Sequence, residues 1–488
     1  MPEGDAGHAA TPRGRWLRRT TASLVVAVLL ASGAAYRFDL GPRWFDLGRP
    51  SPLTQPAQVL PPVGLALPAA RRAVPVAGRE VSRPADAAAV RRAVDPRLRY
   101  KLLGRHVVVE VAELSTGRVV YRRGTGLVTP ASTMKLLTAA AALQALGPAH
   151  RFTTSVVATP QSPRIVLVGG GDPLLARTRP TTGYPARADL DTLARATAKA
   201  LRAIGRSKVR LGYDATLFPG PAVNPRWEPS YLPDDVVSPI SSLWVDQGRE
   251  RPGSSDRTPV PALAAAQVFA RALGKHGITV VAKPGPAVAP GEPAGGQDIA
   301  SVRSAPLAQV VQHVLEVSDN EGAEVLARHV AVAQGLPASP TGASRAVRAA
   351  LRSVGVSTTG DRIYDGSGLS RDNRLSARTL LAVLRVAAGS GQPRLRAAVA
   401  DLPVAGFTGS LAYRFHTGPP VGLGAVRAKT GTLTGVHGLA GTVTTLDGVV
   451  LGFVAIADRV KPVNTLDARA RIDEVAAALA GCACAATP

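Results

Sequence analysis

The chain has 488 residues, of which 45% are hydrophobic and 19% charged, a globular composition that allows two or three domains and excludes disorder throughout. Its formal net charge of +24 favours contact with polyanions such as nucleic acid, anionic lipid or acidic envelope polymers, although arginine-biased codon usage is the simpler explanation. Aromatic residues make up only 4%, and no dense basic block with interleaved aromatics occurs, so we predict no nucleic-acid partner.

Lysine is scarce in this basic chain. It has 50 arginines but only eight lysines, and two of these, Lys135 and Lys429, stand in the sequences Ser-Thr-Met-Lys and Lys-Thr-Gly-Thr. Arginine keeps its proton at any working pH, whereas a buried lysine can become neutral and accept a proton from a neighbouring hydroxyl. Lys135 and Lys429 therefore stand at positions where the loss of a proton from the amine would matter for chemistry.

The N-terminus has the pattern of an export signal. A basic segment, 1–19, precedes the uncharged run 20–36, which ends in small residues. The run is slightly short for a spanning helix, so cleavage and retention as a signal anchor both remain open. The basic segment stays in the cytoplasm and the rest of the chain lies outside it, in the cell envelope. Residues 37–97, rich in Pro, Ala and Arg, are predicted to form an extended linker.

The first folded part is predicted to begin with a β-hairpin, with strands at 106–114 and 118–121. A helix is then expected to start at Ser132 and to end before Gly147. Because helical positions three apart share a face, the amine of Lys135 should lie near the hydroxyl of Ser132. A capping serine beside a solvated lysine would show the same pattern, so this motif alone is weak.

Three later segments extend the pattern. Ser318-Asp319-Asn320 opens a helix after an amphipathic stretch and supplies a second hydroxyl and a side-chain amide. Residues 427–433 have the pattern of a strand, in which Gly431 would let a substrate backbone approach the strand edge. Two further strands, at 438–444 and 449–456, and a closing helix at 464–479 are predicted after it.

The chain resembles the class C penicillin-binding proteins, the group of D-alanyl-D-alanine carboxypeptidases and endopeptidases, over residues 98 to 480. The resemblance implies an α+β fold of the penicillin-binding-protein and β-lactamase type, with a five-stranded antiparallel sheet and flanking helices. Four phrases carry the resemblance: 130–135 (PASTMK), 167–175 (LVGGGDPLL), 365–371 (DGSGLSR) and 428–432 (AKTGT).

The resemblance also implies residue roles. Ser132 would attack the carbonyl between two D-alanines with Lys135 as general base, and Ser318 and Lys429 would relay a proton to the leaving amine. Substrate would be held by five further residues: Asn320 on the peptide amide, Thr430 and Thr432 on the terminal carboxylate, Gly431 at the strand edge, and Arg371 on the substrate side. The backbone N–H groups of Ser132 and Thr432 would form the oxyanion hole.

In this group the catalytic domain is discontinuous. We therefore expect catalytic parts at 98–150 and 298–481, separated by one smaller inserted α/β domain at 151–297. Within the insertion the sequence predicts strands at 153–157 and 165–167 and helices at 190–204 and 263–276. The gap between the first two motifs is shorter than expected for three-domain members, so side-chain preference for the stem peptide is not carried over.

Two remaining features have weaker interpretations. Cys482 and Cys484, in the tail 482–488, are the only cysteines, so no disulfide framework or four-cysteine zinc site is available. A bridge across one residue would be strained, so we predict no role for the pair, with lipid or metal attachment as the alternative. His313 and Glu316 could face a metal from one helix, but a solvated polar pair is the simpler interpretation, and no metal or organic cofactor is expected.

The sequence thus predicts an exported serine enzyme that acts on peptidoglycan stem peptides and is acylated by β-lactams. A β-lactamase is one alternative, although it needs a base for the deacylating water and no such glutamate is identifiable. An esterase on the same serine–lysine helix would lack the Lys-Thr-Gly-Thr strand. A non-catalytic envelope-binding module is the alternative from another class, and it predicts no labelling of Ser132 by penicillin.

Overall fold

The structure, a computed structural model, describes most of the chain from residue 83 onward. The predicted export segment 20–36 and the basic residues before it lie outside the described part. Within the described part, no helix combines the length and the apolar character needed to cross a membrane. The described residues are 83–160, 162–180, 182–416 and 420–486.

Helices and strands alternate irregularly along the chain, as in α+β proteins. The α-helices are α1 (Ala87–Leu98), α2 (Lys135–Leu146), α3 (Leu190–Ala203), α4 (Pro261–Lys275), α5 (Leu307–Glu316), α6 (Asn320–Ala333), α7 (Pro340–Ser353), α8 (Ala377–Ala388), α9 (Ala397–Ala400) and α10 (Thr465–Ala480). The strands are β1 (Val107–Glu113), β2 (Val119–Arg123), β3 (Thr153–Ala158), β4 (Arg164–Val168), β5 (Lys208–Asp214), β6 (Thr279–Val280), β7 (Gly285–Pro286), β8 (Gln297–Arg303), β9 (Val426–Leu433), β10 (Val436–Thr444) and β11 (Val450–Ala457).

Strands from the two ends of the described chain form one five-stranded antiparallel sheet in the order β2-β1-β11-β10-β9. The predicted fold class is confirmed by this sheet and its flanking helices. Strand β9 lies at the edge of the sheet, so one side of its backbone is free for contacts other than those of the ladder.

The five-stranded sheet is covered on both faces. On one face, apolar side chains of α2, α6, α7 and α8 form the largest core cluster together with Ala440 and Val454 of the sheet. On the other face, α1 and α10 pack against Leu439 and Phe453. Both faces are therefore buried, and the strands carry near-continuous apolar runs rather than a polar–apolar alternation.

A second sheet is built from residues between β2 and β9 in the chain. Its order is β6-β5-β4-β3-β8, with β7 also paired to β5, and it mixes parallel and antiparallel pairs. Helices α3 and α4 cover it through a core of their own that includes Leu193, Leu201 and Phe269. Because β8 pairs with β3, this sheet continues to Arg303, past the predicted boundary at residue 297.

The end of the predicted linker is the clearest difference from the sequence analysis. Helix α1 occupies residues assigned to the extended linker 37–97, and the Asp86 side chain caps it by accepting the Ala88 N–H. Its buried side chains recur every four residues, which is the spacing of one helix face. The linker prediction is wrong here because this short apolar stripe only gains stability by packing on α10, which the local sequence does not show. The buried members of the stripe are Val90, Val94 and Leu98.

The two cysteines also differ from the prediction. The structure joins Cys482 to Cys484 in a disulfide, although we predicted no role for the pair. The tail is held in place by neighbouring backbone contacts, because Asp86 N–H donates to the Cys484 carbonyl over 2.7 Å and Ala85 bridges to Ala485.

We predict that Phe269→Ala lowers the free energy of unfolding by about 3–5 kcal/mol, because it removes a large, fully buried side chain from the core of the second sheet. Val288→Ala is the control, since Val288 is 73% exposed and should change stability little. Urea denaturation followed by circular dichroism measures both values. A loss below about 1 kcal/mol for Phe269→Ala would contradict this packing.

Candidate active site

Ser132 and Lys135 stand at the start of α2, where the structure refines the predicted helix. Residues Ala131–Met134 form a 3₁₀ turn, and the α-helix begins only at Lys135. In a 3₁₀ turn, side chains three apart lie almost above one another, so the two side chains face each other directly. Lys135 Nζ lies 2.9 Å from Ser132 Oγ. Ser132 is partly accessible, whereas Lys135 is completely buried.

The amine of Lys135 has three polar neighbours. Besides Ser132 Oγ, it lies 2.8 Å from Asn320 Oδ1 and 2.8 Å from the Ser367 carbonyl oxygen. A neutral amine carries two N–H bonds and one lone pair, and the two oxygen acceptors match the two N–H bonds. The lone pair is then left for the hydrogen of the Ser132 hydroxyl.

Burial lowers the pKa of Lys135 to about 8, because a charged amine loses its hydration there. The negative charge of Asp319, followed by Asp365, Glu324 and Glu321, acts in the opposite direction and keeps the pKa from falling further. A pKa of about 8 leaves about one amine in ten neutral at pH 7. The site thus holds a lysine that exchanges its proton near physiological pH.

The loop that begins at Asp365 places the Ser367 carbonyl against Lys135. The Asp365 carboxylate accepts the backbone N–H groups of Gly368 and Ser370 over 2.9 and 2.6 Å and the Trp227 indole N–H over 3.0 Å. Glu324 of α6 accepts the Ser367 N–H over 2.8 Å, and burial followed by the charge of Asp365 raises the pKa of Glu324 to about 7.

In the sequence this loop stands out only through the family resemblance, and Asp365 and Glu324 were not predicted as supports of the site. The signal that could have found Asp365 is its own phrase, Asp-Gly-Ser-Gly, because an acidic residue before two glycines commonly accepts backbone N–H groups in a turn. Glu324 carries no such signal, since it sits among apolar residues of a helix.

The second predicted motif lies beside the first. Asp319 is the N-cap of α6 and accepts the Gly322 N–H over 2.9 Å, as the sequence predicts. This cap places Asn320 in the first turn, where its Oδ1 meets Lys135 and its Nδ2 donates to the Val236 carbonyl over 3.4 Å. Ser318 has a φ of +61°, a left-handed conformation that is uncommon for a residue with a side chain. Its hydroxyl forms no hydrogen bond within the described residues.

The third motif lies on β9. Lys429 is completely buried, and its Nζ donates to the carbonyl oxygen and to Oγ1 of Thr430 over 3.2 and 3.3 Å. Burial lowers the pKa of Lys429 well below its ordinary value, and the charges of Lys135 and Arg414 lower it further. Among the described residues, no carboxylate forms an ion pair with Lys429. Thr432 is exposed at the end of the strand.

Gly431 lies where β9 passes the segment that carries Ser132. A Cβ atom at this position would stand 2.8 Å from the Pro130 carbonyl oxygen and 3.1 Å from Thr133 Cγ2. Any side chain would therefore push β9 away from the segment that carries Ser132. The close contact between β9 and the segment that carries Ser132 is thus a second reason for glycine at position 431, besides the predicted approach of substrate.

Arg371 lies at the border of this group. Its Nη1 donates to the Thr434 carbonyl over 3.0 Å, just beyond Thr432, and its Nε stands 3.5 Å from Glu228 Oε1. The side chain is 37% exposed and does not contact Ser132. Direct contacts therefore join Ser132, Lys135 and Asn320, while Arg371 reaches the turn after β9.

The alternative metal pair is not supported by its neighbours. His313 Nε2 stands 4.0 Å from Asp319 Oδ2, and burial lowers the pKa of this histidine. Within residues 83–486, apart from the short gaps, no group of three or more His, Cys, Asp or Glu side chains is arranged to hold a metal ion.

Known proteins are similar to this chain over most of its length. Carboxypeptidase Rv3627c of Mycobacterium tuberculosis is 38% identical over 404 residues, covering 80% of this chain and 82% of that protein. Carboxypeptidase DacB of Mycolicibacterium smegmatis is 39% identical over 384 residues, covering 77% of this chain and 80% of that protein.

Among solved structures, penicillin binding protein 4 of Haemophilus influenzae shares the fold, with a TM-score of 0.64 at 22% identity over 79% of this chain and 98% of that one. That protein has also been solved with a bound β-lactam. The model of the D-Ala-D-Ala carboxypeptidase 3 (S13) family matches residues 90–259 and 250–479. The chain therefore belongs to this family and is a serine-type D-Ala-D-Ala carboxypeptidase.

Proposed function

We propose that Ser132 is the nucleophile of this carboxypeptidase and that Lys135 is its general base. The observation that carries the proposal is the environment of the Lys135 amine, in which two oxygen acceptors occupy the N–H bonds and leave the lone pair to Ser132. As Ser132 Oγ bonds to the substrate carbonyl carbon, its proton passes to that lone pair. Backbone N–H groups of Ser132 and Thr432 stabilise the oxyanion that forms.

The C–N bond to the terminal D-alanine then breaks, and the leaving amine needs a proton. We assign this transfer to Ser318, with the buried amine of Lys429 completing the proton relay. The support is that Lys429 is buried with a strongly lowered pKa and that the Ser318 hydroxyl is not committed to another described residue. Water afterwards hydrolyses the acyl ester and regenerates Ser132.

Substrate contacts are assigned to the residues around this group. Asn320 Nδ2 makes only a long hydrogen bond of 3.4 Å to the Val236 carbonyl, so this N–H group can donate to the peptide carbonyl of the substrate. Alternatively, Asn320 Oδ1 can accept the amide N–H of the substrate. Thr430 and Thr432 bind the terminal carboxylate next to the positive charge of Lys429. Arg371 contributes on the substrate side of the turn after β9.

Location and substrate follow from the same assignment. Peptidoglycan stem peptides carry the D-Ala-D-Ala terminus and lie outside the cytoplasm, so we propose that the segment 20–36 exports the enzyme and either is cleaved or anchors it to the membrane. We also propose a discontinuous catalytic domain, 98–150 and 304–481, with 151–303 as the inserted domain, because β8 pairs with β3 as far as Arg303.

Labelled penicillin should form a lasting adduct on Ser132, because a β-lactam presents a strained amide and a carboxylate to the same groups. Mass spectrometry of a digest locates the adduct, and Ser132→Ala should lose it completely. An adduct on another residue contradicts the assignment of Ser132. Rapid turnover without adduct favours a β-lactamase, and absence of any labelling favours a non-catalytic binding module.

The rate of acylation should rise with pH and level off, with an apparent pKa near 8. The direction follows because burial lowers the pKa of Lys135 to about 8, so the neutral amine that acts as base becomes the major form above that pH. Lys135→Arg keeps the charge but cannot act as base, and its rate should fall at least about 100-fold. Lys208→Arg, at an exposed lysine, is the matched control. An unchanged rate in Lys135→Arg would refute the mechanism.

We propose that the enzyme also cleaves cross-links, because the same acyl-serine forms whether the leaving amine belongs to D-alanine or to a neighbouring stem peptide. Purified sacculi digested with the enzyme should release D-alanine and convert cross-linked dimers to monomers, as measured by liquid chromatography of the muropeptides. Ser132→Ala is the control. Release of D-alanine with unchanged dimers would restrict the enzyme to carboxypeptidase activity.

A further inference from the structure

A loop of the proposed inserted domain reaches the helix that carries Asn320. This loop, residues 236–257, lies between β5 and α4 in the chain and contacts the N-terminal turn of α6. Three consecutive residues of that turn each have a hydrogen-bonding partner in the 236–257 loop. The pairs are Asp319 with Gln247, Asn320 with Val236, and Glu321 with Arg257.

The contact between Gln247 and Asp319 is buried on both sides. Gln247 Nε2 donates to Asp319 Oδ2 over 2.5 Å, while Asp319 Oδ1 accepts the Gly322 N–H as the cap of α6. Both carboxylate oxygens therefore have a donor, one from the helix and one from the 236–257 loop. A carboxylate held at both oxygens cannot rotate freely, so the first turn of α6, which includes Asn320, is held in one orientation.

The backbone around Gln247 is strained in a way that directs its side chain. Asp246, Gln247 and Gly248 have consecutive φ values of +50°, +57° and +76°, although the first two are not glycine. The turn is held from outside, because the Leu175 carbonyl accepts the Asp246 N–H over 2.8 Å and Arg177 Nε donates to Asp246 Oδ2 over 3.2 Å. Strain of this kind persists only where the surrounding structure fixes it, and it clusters at functional sites.

The charges around this contact act on the amine of Lys135. Among the carboxylates that raise the pKa of Lys135 against the effect of burial, Asp319 contributes most, and Glu321 also contributes. Arg257 Nη2 lies 2.8 Å from Glu321 Oε1 and balances its charge. His313 Nε2 stands 4.0 Å from Asp319 Oδ2, and burial lowers the pKa of this histidine, so it is mostly neutral at pH 7. The glutamine side chain adds a donor to this group without adding a charge.

We propose that Gln247 is a positioning residue for acylation: it fixes the Asp319 carboxylate and thereby the orientation of Asn320, which accepts an N–H of Lys135. A hydrogen bond to a carboxylate is charge-assisted, so the contact is strong enough for this task. The inserted domain then contributes to catalysis through the 236–257 loop without placing a group on the reacting atoms. The proposal rests on the general-base role assigned to Lys135, whose amine lies 2.8 Å from Asn320 Oδ1.

A purely structural role for Gln247 would require that it hold the inserted domain against α6. That interface has other supports. The ion pair between Arg257 and Glu321 is buried, and the ring of His329 in α6 lies 2.9 Å from the Gly171 carbonyl oxygen through Nε2. Loss of the Gln247 amide should therefore leave the domains joined, and its effect should appear in the chemistry of acylation.

The experiment measures the second-order rate constant of acylation of the full chain by benzylpenicillin as a function of pH. Gln247→Ala should lower the rate about tenfold, because it removes one hydrogen bond to a charged group. Gln247→Glu should match the wild type at acid pH, where the new carboxyl group shares a proton with Asp319 and still donates. At alkaline pH this proton is lost and the two carboxylates repel, so the rate should fall to about a tenth of the wild-type value.

Gln334→Glu is the matched control. Gln334 lies at the other end of α6, where its amide donates to the Ala346 carbonyl over 3.1 Å, so its replacement should leave the rate unchanged at every pH. Circular dichroism at each pH checks that the variants are folded. If Gln247→Ala does not fold, the pH dependence of Gln247→Glu decides the question alone.

A rate for Gln247→Glu that keeps a constant ratio to the wild type at every pH overturns the proposal, as does an unchanged rate for Gln247→Ala. Failure of the underlying mechanism gives a different result: the wild type then forms no adduct on Ser132, or Lys135→Arg is acylated at the wild-type rate. When both of those tests support the mechanism and Gln247→Glu still follows the wild type, only the role of Gln247 is lost.

Discussion

The burial of the Lys135 amine is the constraint on which the rest of the site depends. A charged amine without water is unfavourable, so the site must supply oxygen acceptors in place of solvent. Asn320 and the Ser367 carbonyl do so, and each is fixed by a separate element. A helix cap at Asp319 orients the first, and the carboxylates of Asp365 and Glu324 hold the loop that presents the second.

Lys429 is a second buried lysine, and its charge and that of Lys135 affect each other's protonation. The positive charge of each makes protonation of the other less favourable, and the pKa of Lys429 is lowered partly by Lys135. A substrate carboxylate at β9 would offset the charge of Lys429 without reaching Lys135. Binding would then favour a charged Lys429 and a neutral Lys135, which is the protonation state that the proposed mechanism requires.

Two of the six non-glycine residues with a positive φ in the described part of the chain belong to these motifs. Ala131 and Ser318 both have left-handed φ values, +45° and +61°, although neither is glycine. Such conformations cost on the order of 1 kcal/mol each and persist only when the surrounding packing fixes them. For Ala131 the fixing contact is β9, which approaches the segment that carries Ser132 so closely that position 431 has no room for a side chain. Residues 403–411 pair with the start of β9 and meet the Glu316 carbonyl, two residues before Ser318, through Gly409.

Local sequence patterns predict the strands at 106–114, 118–121, 427–433, 438–444 and 449–456 and the three short motifs, because apolar runs and triplets are local features. The family resemblance predicts that these strands form one five-stranded sheet, which the structure confirms. Helix α1 and the loop supports Asp365 and Glu324 were not predicted, because each acts through residues far away in the chain. Glu324, for example, accepts the N–H of Ser367, which lies 43 positions later. Only tertiary structure decides such contacts, since hydrogen bonds and burial depend on which segments the fold brings together.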